Sequence, residues 1–354
     1  MQSDQDELVA SIEHKQILRV VQRMLDDSTA KVESWRSEIP GSGAGGAIRR
    51  IAGCARTKTG EVPWSVILKK PRLDVGLGNA FGGDREPIVY RSRFLDRATC
   101  GLRPPRCFGI TELEDSGHLI WIEDIREETA GRWHIDRYGN SAFRLGQFNF
   151  AFSTGRPKPA WPWLDGTDQL HDYVERFALS SEIIADTMHY WQANHHLPKA
   201  TAESYKELHA TRHYYLDSLD LVPKCIIHGD ADWRNLIFTL DCGGYEELVA
   251  IDWAFAGLSV IGVDAQNLIV SAVLFSQVDI GEIKSLERIV YDNYILGLRQ
   301  SGWSGDDKLV RLGFSASSAL IWGVVLLGAT MNNLRYEKYQ KMYEKFLVLQ
   351  RDIN

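Results

Sequence analysis

Two hydrophobic periods alternate along this chain, and the change from one to the other marks its organisation. Between residues 5 and 27, Leu8, Ile12, Val20 and Met24 recur at helical spacing, which predicts an amphipathic N-terminal helix. From Ile39 to Lys70 the texture becomes strand-like. A glycine cluster at 41–46 leads into a short apolar run (Ile48, Ile51, Ala52), a turn at Thr59–Gly60 and a compact run of β-formers at 64–69. Residues 84–98 read as a helix with Asp84 placed to cap it. Pro104–Pro105 interrupt the chain before two further strand patterns, at 108–110 and 118–122. Beyond Asp124 the pattern is mostly helical, with a Pro/Trp-rich interruption at 155–165, helices at 168–195 and 201–217, and strands with turns over 225–254. No internal repeat or low-complexity tract is visible. The order predicts an α+β chain in two parts: a strand-rich lobe over 1–123 and a larger, mainly helical lobe over 124–354.

Composition narrows the classes. Hydrophobic residues are 44% and charged residues 25% of 354, the balance of a globular chain rather than a disordered one. Forty Lys+Arg against 47 Asp+Glu leave a net charge of −7, which argues against non-specific binding of nucleic acid. The five cysteines include no C-x-x-C pair, so neither a disulfide framework nor a zinc knuckle is expected, and a cytoplasmic setting is. The N-terminal residues show no secretory pattern. Leu312 to Leu334 carries no charge, but glycines, serines and Asn332–Asn333 dilute it, so a buried helix is expected there and no membrane span.

The chemistry concentrates between residues 225 and 253. The loop His228-Gly229-Asp230 is followed at Asn235 by an apolar strand, a Gly243–Gly244 turn and a second apolar strand that ends at Asp252. Transfer of a γ-phosphoryl group needs positioning and neutralisation of anionic charge more than covalent help. The carboxylate of Asp230 can accept the proton of an attacking hydroxyl. Asn235 and Asp252 offer a neutral and a charged oxygen, donors that suit Mg2+ beside phosphate. A hairpin between the two strands would set Asn235 and Asp252 side by side. His228 is expected to brace the loop by hydrogen bonds, and Arg234 is grouped with Asp230 and His228 as a catalytic candidate.

This loop, with Ile251-Asp252-Trp253, resembles the aminoglycoside phosphotransferase and choline kinase superfamily, which has a protein-kinase-like fold. The resemblance implies a bilobal α+β molecule that binds ATP or GTP with Mg2+ in the cleft. Gly41, Gly43 and Gly46 fit the glycine loop that covers phosphates, and Val66-Ile-Leu-Lys69 fits the strand that carries the phosphate-binding lysine. Lys70 competes for that role; strand alternation lets one of the two face the cleft, and the pattern favours Lys69. Glu86 is the candidate ion-pair partner. Leu119 to Ile125 resembles the inter-lobe hinge, so Glu123 and Ile125 are candidates to meet the base through their backbone. Asp264, in Gly262-Val-Asp-Ala, is expected to anchor a loop.

Acceptor specificity is the least legible part. Trp161, Trp163, Asp165, Asp168 and Asp172 lie where related enzymes build the acceptor pocket, and could hold a cationic acceptor or simply pack. His189, His195 and His196 lack partners for a zinc set. The expected reaction is O-phosphorylation of a small molecule: an aminoglycoside-type antibiotic, a sugar or an amino alcohol. A protein kinase is disfavoured because no Ala-Pro-Glu-like segment follows Asp252. The rival from another class is a nucleotide-binding pseudokinase acting as scaffold or sensor.

Overall fold

Period-two alternation in the N-terminal part builds one sheet. The protein is described from a computed structural model over residues 8, 12–40, 46–71, 85–97, 101–113, 117–127, 132–153, 161, 163–164, 168–175, 199–241, 243–275 and 277–331. Gly41, Gly43, Asp84, Asp165 and the His189, His195 and His196 cluster lie outside these residues.

The chain divides into two compact units, Met1–Asp96 with Pro104–Glu128 and Arg97–Arg103 with Thr129–Asn354. The first holds helix α1 (His14–Met24), strands β1 (Lys31–Glu38), β2 (Gly46–Thr57) and β3 (Gly60–Pro71), helix α2 (Arg85–Arg91), and strands β4 (Cys107–Glu112) and β5 (His118–Glu123). The strands form one antiparallel sheet in the order β1-β2-β3-β5-β4. Ala47, Ile51 and Ala55 of β2, Trp64, Val66 and Leu68 of β3, and Leu119 and Trp121 of β5 form a core with Ile17, Val20 and Val21 of α1. Of the apolar positions read over 5–27, Val20 is buried in α1, Met24 is partly buried at its end, and Leu8 and Ile12, which precede α1, pack against the same core.

Strand β1 was not foreseen. Its sequence, KVESWRSE, is polar and its residues are exposed or half-buried, because it lies at the sheet edge with one hydrogen-bonded neighbour. Helix α2 is shorter than the 84–98 pattern suggested. The Ser92 hydroxyl bonds the Val89 carbonyl at 2.6 Å, Arg93 takes a positive φ of 57°, and a 3-10 turn at Leu95–Arg97 follows.

The second unit contains α3 (Ile135–Ala151), the short helix α4 (Gln169–Tyr173), α5 (Lys199–Asp220), β6 (Lys224–Ile227), β7 (Leu236–Leu240), β8 (Glu246–Ala250), β9 (Gly257–Val260), α6 (Val263–Leu274), α7 (Ile283–Gln300) and α8 (Asp307–Met331). Helices α3 and α7 pack backbone to backbone: a Cβ on Gly146 would come within 2.3 Å of the Tyr294 carbonyl oxygen, and one on Gly297 within 2.0 Å of that of Phe143. Phe148, Tyr294, Leu268 and Phe314 fill the space between helices. Two antiparallel ribbons, β6 with β9 and β7 with β8, flank the loops that hold Asp230, Asn235 and Asp252. Helix α8 takes in residues 312–331 of the uncharged stretch and buries Val310, Phe314 and Leu320; among the described residues no helix is long and apolar enough to cross a membrane.

Candidate active site

The loop after β6 is held by a chain of buried polar contacts. Asp264, at the start of α6 and fully buried, accepts the backbone N–H groups of His228 at 2.9 Å and Gly229 at 3.0 Å, and an amide N–H of Asn149 at 3.0 Å. Asn149 donates to the Ile226 carbonyl at 3.0 Å and accepts from the Tyr294 hydroxyl at 2.8 Å. That hydroxyl in turn accepts the Gly262 N–H at 3.1 Å, and burial holds it well above its ordinary pKa, so it stays a donor. Asp264 is therefore the loop anchor that its sequence position suggested.

Gly229 has a φ of +81°, and a Cβ there would lie 2.0 Å from the Phe255 carbonyl oxygen. Only a residue without a side chain fits both constraints. His228 is fully buried, with its ring edge-on to Trp253 at 4.7 Å. Its Nδ1 accepts the Asp230 N–H at 3.3 Å, which leaves Nε2 as the donor to the Ile251 carbonyl at 2.9 Å. With both nitrogens engaged and no exposure, His228 ties the loop to the segment that precedes Asp252. This corrects its grouping with groups that act directly on a substrate.

Asp230 and Asn235 meet directly. The Asn235 side-chain amide donates to Asp230 Oδ2 at 2.8 Å and to the Asp230 backbone carbonyl at 3.1 Å. The β7–β8 hairpin pairs Leu236 with Ala250, and the Ile251 N–H bonds the Asn235 carbonyl at 2.9 Å. Asp252 is thus delivered one residue beyond Asn235's cross-strand neighbour. It sits in the left-handed region at φ 62°, ψ 70°, an uncommon conformation for a residue with a side chain. Burial and the charges of Asp252 and Asp232 push the Asp230 carboxyl up to about 7, against the opposing pull of Arg234 and the Asn235 amide.

Arg234 is fastened within the same loop. Its Nε and Nη2 meet the two oxygens of the buried Asp232 at 2.9 and 2.5 Å, and its guanidinium carbon lies 3.7 Å from the centre of the Phe275 ring.

In the first unit, Lys69 and Glu86 form an ion pair at 2.7 Å with side chains only 6% and 1% exposed. Lys70 is half-buried. Gly46 opens β2 opposite Pro71. At the end of β5, Glu123 pairs with Val66, its N–H bonds the Arg106 carbonyl at 2.9 Å, and its carboxylate accepts the Arg106 N–H at 3.0 Å. Asp124, which the sequence reading passed over, binds Arg50 at 2.9 and 3.0 Å and the Ser65 hydroxyl at 2.5 Å. Burial would raise its pKa, but these hydrogen bonds outweigh it and hold the carboxyl below its usual range. Ile125, half-buried beyond the strand, has no backbone hydrogen bond from its N–H among the described residues.

Asp168, Trp161 and Trp163, three of the acceptor-pocket candidates, have partners within the second unit. Asp168 caps α4 through the N–H groups of Leu170 and His171 at 3.0 and 3.2 Å and accepts the Ser259 hydroxyl at 2.8 Å. Trp161 and Trp163 are buried and stack on each other, their ring centres 6.0 Å apart. Asp168 is a helix cap, the packing role rather than the acceptor role of the two its sequence position left open.

A five-stranded antiparallel sheet with one helix ion-paired to its third strand, joined to a helical unit that carries two short ribbons, is the fold of the protein-kinase-like phosphotransferases. The solved structures agree. The chain is similar to a microcompartment-associated aminopropanol kinase (TM-score 0.56, 13% identity, 93% of this chain and 94% of that one). It is also similar to aminoglycoside 2'-phosphotransferase-IIIa, solved as its GDP complex (TM-score 0.55, 13% identity, 97% and 100%). A third likeness is to an amicoumacin kinase solved with AMP-PNP and Ca2+ (TM-score 0.50, 13% identity, 98% and 96%). No protein-family model matches the sequence, and no curated protein does. The chain therefore has the fold of the aminoglycoside phosphotransferase and choline kinase-like superfamily, a likeness of structure at low sequence identity.

Proposed function

We propose that the chain is a phosphotransferase that moves the γ-phosphoryl group of ATP or GTP to a hydroxyl of a small molecule. The observation that carries this reading is the join between Asp230 and Asn235 at 2.8 Å, with Asp252 delivered beside them by the β7–β8 hairpin. Asp230 accepts the proton as the acceptor oxygen forms its bond to the γ-phosphorus. The bond from that phosphorus to the β–γ bridging oxygen breaks, and a nucleoside diphosphate leaves. Lys69 holds the α- and β-phosphates, and Glu86 keeps its ammonium in place. The Glu123 carbonyl and the Ile125 N–H address the base.

The donor set fits Mg2+. Asp252 offers a carboxylate and Asn235 a carbonyl oxygen. Among the described residues no cluster of three or more His, Cys, Asp or Glu forms a metal cage of its own, and two protein ligands completed by phosphates and water are what Mg2+ accepts. When bound, the ion neutralises phosphate charge. Glycine-loop cover from Gly43 and Gly46 belongs to the same reading. The acceptor class remains the one read from sequence: a hydroxylated small molecule such as an aminoglycoside, a sugar or an amino alcohol.

The test is transfer of labelled γ-phosphate from ATP and GTP to a panel of hydroxylated acceptors, comparing the protein with Asp230→Ala. Acceptor-stimulated turnover that falls about 10²–10⁴-fold in the variant supports the reading. Tight Mg-nucleotide binding with no Asp230-dependent turnover on any acceptor would replace it with the pseudokinase reading.

A further inference from the structure

Arg234 stands in a chemical position that its neighbours do not explain. Asp232 is 3% exposed, and it takes both Nε and Nη2 of Arg234 in a fork while also accepting the Arg234 backbone N–H at 2.8 Å. Phe275, just past the end of α6, covers the face of the guanidinium at 3.7 Å. A fork fixes the guanidinium plane along one edge, and a ring against its face removes rotation out of that plane. An arginine that merely neutralised Asp232 would need the fork and not the stack. With the plane fixed, Nη1 is the nitrogen left over, and it makes no hydrogen bond or ion pair among the described residues. The residue next in sequence is Asn235, and four before is Asp230.

We infer that Arg234 is the cation that meets the γ-phosphoryl group during transfer through its Nη1 edge, and that Asp232 and Phe275 are positioning residues that hold it there. This rests on the phosphotransferase reading above. As the bridging bond breaks and the acceptor oxygen approaches, negative charge spreads over the equatorial oxygens of the phosphoryl group. A preset guanidinium stabilises that charge without reorganising. The Asp230 carboxylate, which takes the acceptor proton, repels the same oxygens, and Arg234 offsets that repulsion. The guanidinium is half exposed, with 47% of its side chain open, so an incoming phosphoryl group can reach it.

The experiment compares the affinity for Mg-ADP with that for Mg-ADP plus aluminium fluoride, a mimic of the phosphoryl group in transfer, with guanosine nucleotides in parallel. The proteins are the full chain and its Arg234→Ala, Arg234→Lys, Asp232→Asn and Phe275→Leu variants. The parent binds the aluminium fluoride complex more tightly than the diphosphate alone. Arg234→Ala is expected to shrink that ratio by about 100-fold while Mg-ADP affinity changes less than twofold. Arg234→Lys keeps charge but not the fork, and is expected to lose about tenfold of the ratio. Phe275→Leu and Asp232→Asn are expected to lose a smaller part, and added guanidinium at millimolar concentration is expected to restore part of the ratio in Arg234→Ala. Should Arg234→Ala fail to fold, Arg234→Lys and Phe275→Leu carry the test. An unchanged ratio in folded Arg234 variants overturns the inference and leaves the phosphotransferase reading standing. A parent that binds no Mg-nucleotide overturns both.

Discussion

Removing one charge from the Lys69–Glu86 pair should cost far more than the pair itself contributes. At 2.7 Å, Coulomb attraction at an effective dielectric near 20 is about 6 kcal/mol. Taking two ions out of water costs several kcal/mol each, so the pair as a whole comes close to break-even. With side chains 6% and 1% exposed, Lys69→Met leaves the Glu86 carboxylate buried without its ammonium, a loss of about 3–5 kcal/mol. Glu86→Gln is expected to fall in the same range. The double variant Lys69→Met/Glu86→Leu buries no stranded charge and should recover to within about 1–2 kcal/mol of the parent. Because the chain has two units, a single global unfolding energy is poorly defined, and amide hydrogen exchange on peptides of β3 and α2 reads the unit concerned. Each single variant should speed that exchange by about two to three and a half decades. Lys69→Met and the double variant should lose nucleotide affinity together, since both lack the ammonium. Exchange unchanged in Lys69→Met, or a double variant whose loss equals the sum of the singles, would refute the reasoning.

Two further outcomes follow from the same geometry. Asp124 has a folded pKa below its unfolded 3.8, so the stability it contributes is present above that value and is lost as the pH falls through the folded one; Asp124→Asn should flatten the acid limb below about pH 4 in a thermal-melt series while costing stability at pH 7. Gly229→Ala must adopt a left-handed backbone, at about 1–2 kcal/mol, and must also displace the Phe255 carbonyl that its Cβ would meet at 2.0 Å, so amide hydrogen exchange on peptides of β6 and β9 should speed by more than about tenfold, together with weaker Mg-nucleotide binding.

Local chemistry was the legible part of this protein. Asp230, Asn235 and Asp252 stand out because a loop, an apolar strand, a Gly-Gly turn and a second apolar strand are all short-range patterns, and a hairpin of that length fixes which ends meet. Asp264 was read from the resemblance, by its place after Asp252 in Gly262-Val-Asp-Ala. The polar strand β1 could not: an edge strand with no buried face has no period-two signature, and what defines it is its pairing with β2. The extent of β2 was hidden by Arg49 and Arg50, one buried at 8% exposure and the other spent on Asp124 and Glu38. Asp168 stayed open because a carboxylate that caps a helix and one that awaits a cationic acceptor look the same until the N–H groups of Leu170 and His171 are seen against it. The fork between Asp232 and Arg234 was in plain view at i and i+2, but its meaning depends on Phe275, which is distant in sequence.

The central claim is that Asp252 and Asn235 hold a divalent cation against nucleotide phosphates while Asp230 does not. Electron paramagnetic resonance of Mn2+ titrated into the protein with ADP or GDP reads that without any acceptor. The account predicts a bound-manganese signal that requires nucleotide, disappears in Asp252→Ala, weakens in Asn235→Ala and persists in Asp230→Ala. A signal of full strength in Asp252→Ala would contradict it.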